Sequence, residues 1–173
     1  MENNITSAIE LTAVPGFISR DALLEHWQGH RRLTRQVIDA FPEEKLFNYS
    51  IGGMRTFAQM SMEFIGLAAP GIHGIAFGNW TFDNPPLASN TPPPATKQEI
   101  LDLWDMVTEE INKVWLQIPA QRFQENDRAF GQYEGPVNAA LLYLIDNEIH
   151  HRGQGYVYLR SLGIEPPAFW NRY

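Results

Sequence analysis

Prolines and glycines cut this chain into stretches, and four of the longer ones repeat apolar residues at spacings of three and four. That repeat lines up side chains along one side of an α-helix, which turns once every ~3.6 residues. A proline inside a helix removes a backbone hydrogen bond and crowds the preceding turn, so the proline clusters mark where helices should stop. The first stretch starts near Ser19, a suitable N-cap followed by Asp21, and ends at Phe41 before Pro42. Its stripe is Leu23, Trp27, His30, Thr34, Val37 and Phe41. The second follows Ile51-Gly52-Gly53 and opens on a capping-box pair, Thr56 and Gln59, in which each residue can satisfy the other's free backbone N–H. Phe57, Met60, Phe64 and Leu67 form its stripe, and it is expected to reach about Ala69, with Pro70-Gly71 kinking or interrupting the segment before Trp80.

A third stretch opens on Thr96 and Glu99, another capping-box pair, and carries Ile100, Leu103, Trp104, Val107, Ile111, Val114 and Ile118 up to Pro119. The last begins with Pro136 as its first helical residue and ends near Leu162-Gly163, ahead of Pro166-Pro167. Between the second and third lies a stiff crossover, Asn84 to Ala95, holding Pro85, Pro86, Pro92, Pro93 and Pro94. The segment from Gln121 to Gly135 reads equally as a short strand pair or as irregular turns. Four amphipathic helices with one long crossover predict an all-α, single-domain four-helix bundle over residues 1–173. The long crossover lets helices two and three run parallel.

Composition narrows the function. The chain has no cysteine, so thiolate metal sites are excluded and stability must come from packing. A net charge of −7 argues against a nucleic-acid partner, which would call for a basic face. Met1 to Leu11 has neither the basic nor the apolar region of a secretory leader, and no run approaches the roughly 18 apolar residues of a membrane span. A cytoplasmic protein without a membrane partner is the expectation.

The chemistry-bearing residues cluster in the last helix, at Asp146 to Gln154. The stripe Val137, Leu141, Leu144, Gly155, Tyr158 and Leu162, extended through its middle, lands on Glu148 and His151, and Asn147 sits one turn before His151. An unpaired polar group in a core costs about 1–3 kcal/mol, so such a cluster must be satisfied. A metal or substrate site, a histidine satisfied by a carboxylate, and a stripe rotated toward solvent all meet that need. On helix one, His26 and His30 have the i, i+4 spacing of helical zinc ligands, but Trp27 stands where the metalloprotease motif has glutamate. His30 alone falls on the inward stripe. Glu63, between Met60 and Leu67, borders the second stripe, where it can bind a metal, pair with His151 or reach the surface. His73 is expected in a loop or at a helix end.

The run His150-His151-Arg152-Gly153-Gln154, followed by Tyr158-Leu159-Arg160, Leu162-Gly163 and Pro166-Pro167, resembles the last helix of the DinB/YfiT-like superfamily. Arg55-Thr56-Phe57-Ala58-Gln59 resembles the start of that family's second helix. The resemblance implies an up-down-down-up four-helix bundle with three histidines around a divalent metal, one from helix two and two from the last helix. Carried onto this chain, those positions are Glu63, Asn147 and His151, so one histidine of three is present. Glu63 is a competent oxygen ligand, whereas the neutral amide of Asn147 competes poorly with imidazole for zinc or nickel. The expected site is therefore degenerate, holding Ni, Zn or Mn weakly or not at all, with His30, Glu148 and Gln154 lining the pocket.

Activities implied by the resemblance are thiol S-transfer and maleylpyruvate isomerisation, with the metal as Lewis acid. Two functions follow. One is a divalent-metal-dependent transferase or hydrolase-like enzyme acting on a small molecule. The other is a non-catalytic small-molecule-binding or dimeric protein that has lost the metal, with Trp27, Met60 and Tyr158 lining a cavity or a dimer contact. Related bundles associate through helix faces, so a homodimer is expected.

Overall fold

A computed structural model of the chain describes residues 18–88 and 91–172. The Met1 to Leu11 stretch on which the leader reading rests lies outside the described residues. Four long helices carry the fold: α1 (Arg20–Ala40), α3 (Phe57–Phe77), α4 (Lys97–Trp115) and α5 (Val137–Ser161). A short α2 (Glu43–Asn48) follows Pro42; its few residues are too short a run for a periodic signal, and it is held by burying Leu46. Before α5, a 3-10 turn (Ala120–Gln124) leads into an antiparallel hairpin of β1 (Asn126–Ala129) and β2 (Tyr133–Pro136), so the strand-pair reading of this segment is the one realised.

The helix starts follow local chemistry. The Ser19 side chain accepts from the Ala22 amide at 3.1 Å, and both capping boxes, Thr56–Gln59 and Thr96–Glu99, form in full. Pro136 caps α5, which begins one residue later than expected.

Helix directions follow from which residues meet. Arg20 near the start of α1 donates to the Trp115 carbonyl at the end of α4, and Arg35 near the end of α1 pairs with Asp105, so α1 and α4 are antiparallel. Phe64 and His73 of α3 meet Trp104 and Glu110 of α4 in the same order, so those two run parallel. Phe57 packs on Gly155 and Leu144 on Gly71, so tightly that a Cβ at either glycine would lie 2.4 or 2.6 Å from its neighbour. That reversed order makes α3 and α5 antiparallel. The bundle is up-down-down-up.

Three expectations need correcting at α3. The helix does not stop near Ala69 but runs through Pro70 to Phe77, ending at Gly78 in the left-handed conformation, φ 74°. A proline within a helix costs about 3 kcal/mol, and each fully buried isoleucine returns about 1.5–3, so Ile72 and Ile75, both wholly buried, offset it. The same extension puts His73 inside the helix, 2.8 Å from the Glu110 carboxylate, rather than in a loop. Against the expectation that no run approaches a membrane span, the helix Phe57–Phe77, extended through Pro70, is long and apolar enough for one by length and composition. Most of it is packed inside the bundle, which accounts for its apolarity.

Trp27, Met60 and Tyr158 are at most 1% exposed. They fill the core and face neither a cavity opening nor a dimer surface.

Candidate functional site

The seam between α3 and α5 brings Glu63, Asn147 and His151 together. Asn147 Nδ2 donates to Glu63 Oε1 at 3.1 Å, and His151 Nε2 lies 3.3 Å from the same oxygen. The other Glu63 oxygen is ion-paired with Arg55, which stands just before the α3 N-cap. The Arg55 guanidinium also approaches His151 Nε2, at 3.4 Å. On its far side, His151 Nδ1 contacts Gln154 Oε1 at 2.8 Å, so Nδ1 carries a proton there and Gln154 orients the ring. A neutral ring then offers Nε2 to Arg55, and a protonated one donates from Nε2 to Glu63. Phe64 closes the inner side, its ring 5.9 Å from the imidazole.

The cluster grades from interior to solvent: the side chains of His151, Glu63 and Arg55 are 13%, 25% and 48% exposed. Burial pushes the Glu63 carboxyl up, but the hydrogen bonds from Asn147 and Arg55 and the charges of Arg55 and His151 outweigh it and hold it below its ordinary value.

These residues do not fit a divalent ion well. Among the described residues, no three His, Cys, Asp or Glu side chains converge as a metal site. Both Glu63 oxygens are engaged, one by two neighbours, and a guanidinium already supplies the positive charge. Arg55 was not among the residues the sequence singled out for the site. It reaches Glu63 from outside the helix, where helical periodicity gives no signal.

His30 and Glu148 do not join this cluster. They belong to a second network on the α1 side of α5, with Arg31, Thr34 and Arg152. Thr34 Oγ1 donates to Glu148 Oε1 at 2.6 Å, and Arg152 donates to the Thr34 hydroxyl and to the His30 carbonyl. Arg31 Nη1 lies 3.9 Å from Glu148 Oε2, while its guanidinium stacks 3.9 Å above the Trp104 ring and donates to Thr108 and to the Trp104 carbonyl. His30 is flanked by two arginines, Arg152 at Nδ1 (2.9 Å) and Arg172 at Nε2 (3.0 Å). Burial first, then Arg152, His26 and Arg172, lowers its pKa from 6.5 to about 3. His26 packs edge-on against His30 with ring centroids 4.6 Å apart. Arg31 and Arg152 were also missed, although a signal existed: Arg152 lies four residues after Glu148, and Arg31 four after the inward Trp27.

A sequence model described as the DinB family matches residues 17–172. The uncharacterised protein YrdA of Bacillus subtilis is 25% identical over 157 residues, spanning 89% of each chain. Among solved structures, a DinB-like protein of Bacillus cereus superposes with a TM-score of 0.69 at 21% identity, covering 86% of this chain and 95% of that one. The DinB-like protein YjoA of Bacillus subtilis gives 0.68 at 18% identity, with 85% and 96% covered. Both solved structures share the fold of this chain.

Proposed function

The chain belongs to the DinB family, and from that premise we propose that it is a small-molecule-binding bundle in which an Arg55–Glu63–His151 ion cluster has taken the place of the metal. The observation that carries this reading is the Arg55 guanidinium, ion-paired with Glu63 and in contact with His151 Nε2. Two unit charges about 4 Å apart interact by about 4 kcal/mol at the effective dielectric of a protein surface, and a divalent ion doubles that. A metal on Glu63 and His151 must therefore overcome a repulsion and also break the Arg55–Glu63 pair. About half of Arg55 faces solvent, so the cluster offers free N–H donors to a small molecule bearing a carboxylate or another anionic group. The competing reading, a metal-dependent transferase or hydrolase, requires Arg55 to leave.

Metal analysis of untagged protein purified without chelator separates the two. The expected result is substoichiometric Ni, Zn and Mn and no thermal shift on adding any of them. An Arg55→Ala, Glu63→His, Asn147→His triple variant is expected to gain tight binding. Stoichiometric metal in the unmodified chain that disappears in His151→Ala would overturn the proposal.

A further inference from the structure

A cavity lies between the hairpin, Trp80 and the first turns of α5. Its volume is about 250 Å³, and it shares no lining residue with the Glu63 cluster. Four aromatic residues wall it: Trp80, Phe130, Tyr133 and Tyr143. Trp80 is fixed against Gly74, where a Cβ would lie 2.1 Å from the indole. Phe130 meets Trp80 with ring centroids 5.3 Å apart and planes inclined at 56°, so the two rings form a corner and not a stack. Tyr133 and Tyr143 are large aromatics left more than half exposed at the mouth.

Phe130 is the informative member. Its φ is 53° and that of the following Gly131 is 68°, a left-handed turn at the hairpin tip. Asn, Asp and Gly suit that conformation, whereas a bulky side chain is disfavoured there. Phenylalanine at this place strains the turn and supplies the cavity with a ring. Such strain is characteristic of ligand clamps.

The charged side chains that line the cavity are both acidic, each with an arginine partner outside the lining. Asp127 and Glu134 are the charged residues among its lining, which contains no lysine, arginine or histidine. Arg122 answers Asp127 from outside the cavity while donating to the Gly74 and Ile75 carbonyls. Glu134 faces Arg128 across 3.7 Å with both side chains well exposed, so solvent screens that pair. Aromatic faces carry negative quadrupole charge, and a carboxylate at their rim adds to it.

We propose that this cavity is a binding site for a small organic cation of the alkylammonium class, held by Trp80, Phe130, Tyr133 and Tyr143 with Glu134 at the rim. The volume selects a compact head group, and the carboxylates select against anions.

Calorimetric titration of the full chain with choline and with its neutral isostere, in which carbon replaces the quaternary nitrogen, tests this. Choline is expected to bind about tenfold tighter than the isostere, the ratio that partly desolvated cation–π contacts supply. Tyr143→Ala, at an exposed position, is expected to weaken choline by about tenfold with an unchanged melting temperature. Phe130→Asn, which suits the turn, should fold and lose a comparable factor. Glu134→Gln should lose about two- to threefold, as for a screened charge. Equal affinity for choline and its isostere would reduce the cavity to an apolar pocket and overturn the proposal. So would the absence of heat with choline, or wild-type affinity in both aromatic variants.

Discussion

On one side of α5, Glu148 and Arg152 face α1 and are almost sealed from water; on the other, Asn147 and His151 face α3 and are partly wet. The two clusters use similar residue types, a glutamate, a histidine and arginines, but on opposite energetic terms. The Glu148 side chain is 3% exposed and the Glu63 side chain 25%. Burial pushes the Glu148 carboxyl up, against the pull of Arg31, Thr34, Arg152 and Trp27, whereas Glu63 is held low. Arg31 is lowered to about 10 by the same burial, against Glu148 and Asp105, and still carries its charge at neutral pH. The sealed cluster fixes how α1 meets α5, and removing its one carboxylate would strand buried guanidinium charge. The wet cluster can exchange partners with solvent or with a ligand. Of the two, the second is the more open to a solute.

The contrast breaks most directly at Glu148. Glu148→Ala leaves Arg31 and Arg152 without their carboxylate and should destabilise the fold by about 3–5 kcal/mol, read from urea unfolding. A loss below about 1 kcal/mol, the range of exposed ion pairs, would mean that water reaches this network and that the two clusters do not differ in kind.

Acid should separate the clusters next. His30 titrates near 6.5 when unfolded and at about 3 when folded, so between those values the unfolded chain binds the extra proton. Stability is then full above pH 6.5 and falls on acidification toward pH 3, by up to about 1.4 kcal/mol per pH unit from this group. Glu63 acts in the same direction but lower, its contribution fading as pH drops below the ordinary 4.5 of a glutamate. Glu148, raised by burial, acts the opposite way above its ordinary 4.5, losing stability as pH rises, so the test is the difference between chains. Urea unfolding at a series of pH values should show the unmodified chain losing more stability than His30→Gln as pH falls from 6.5 toward 3. An unchanged profile in the variant would remove His30 from the sealed network.

Much of this was legible in the sequence, and the limits are physical. Thr56–Gln59 and Thr96–Glu99 announced two helix starts because capping is decided by residues three apart. The passage of α3 through Pro70 was not legible, because burial of Ile72 and Ile75 by distant elements decides it. The sequence placed Glu148 in one pocket with His151, whereas Asn147 and Glu148, offset by about 100°, face different neighbours. Which neighbour each face meets did not follow. The convergence of Glu63, Asn147 and His151 came from the family resemblance, and Arg55 stayed hidden because it enters the cluster by side-chain reach.

The smallest effect is the sharpest test of the comparison. Glu63→Gln keeps an acceptor for Asn147 and loses the ion pair with Arg55, at a position a quarter exposed. Its expected stability loss is about 1 kcal/mol or less, because water resolvates Arg55 as soon as the carboxylate is gone. The same substitution removes the anion that competes for the guanidinium, so Arg55 becomes freer to hold an added carboxylate. Acetate should therefore raise the melting temperature of Glu63→Gln more than that of the unmodified chain, and the difference should vanish when Arg55→Ala is added. If Glu63→Gln instead costs as much as Glu148→Ala, the α3 cluster is structural like its counterpart, and the seam is not where this bundle meets its ligand.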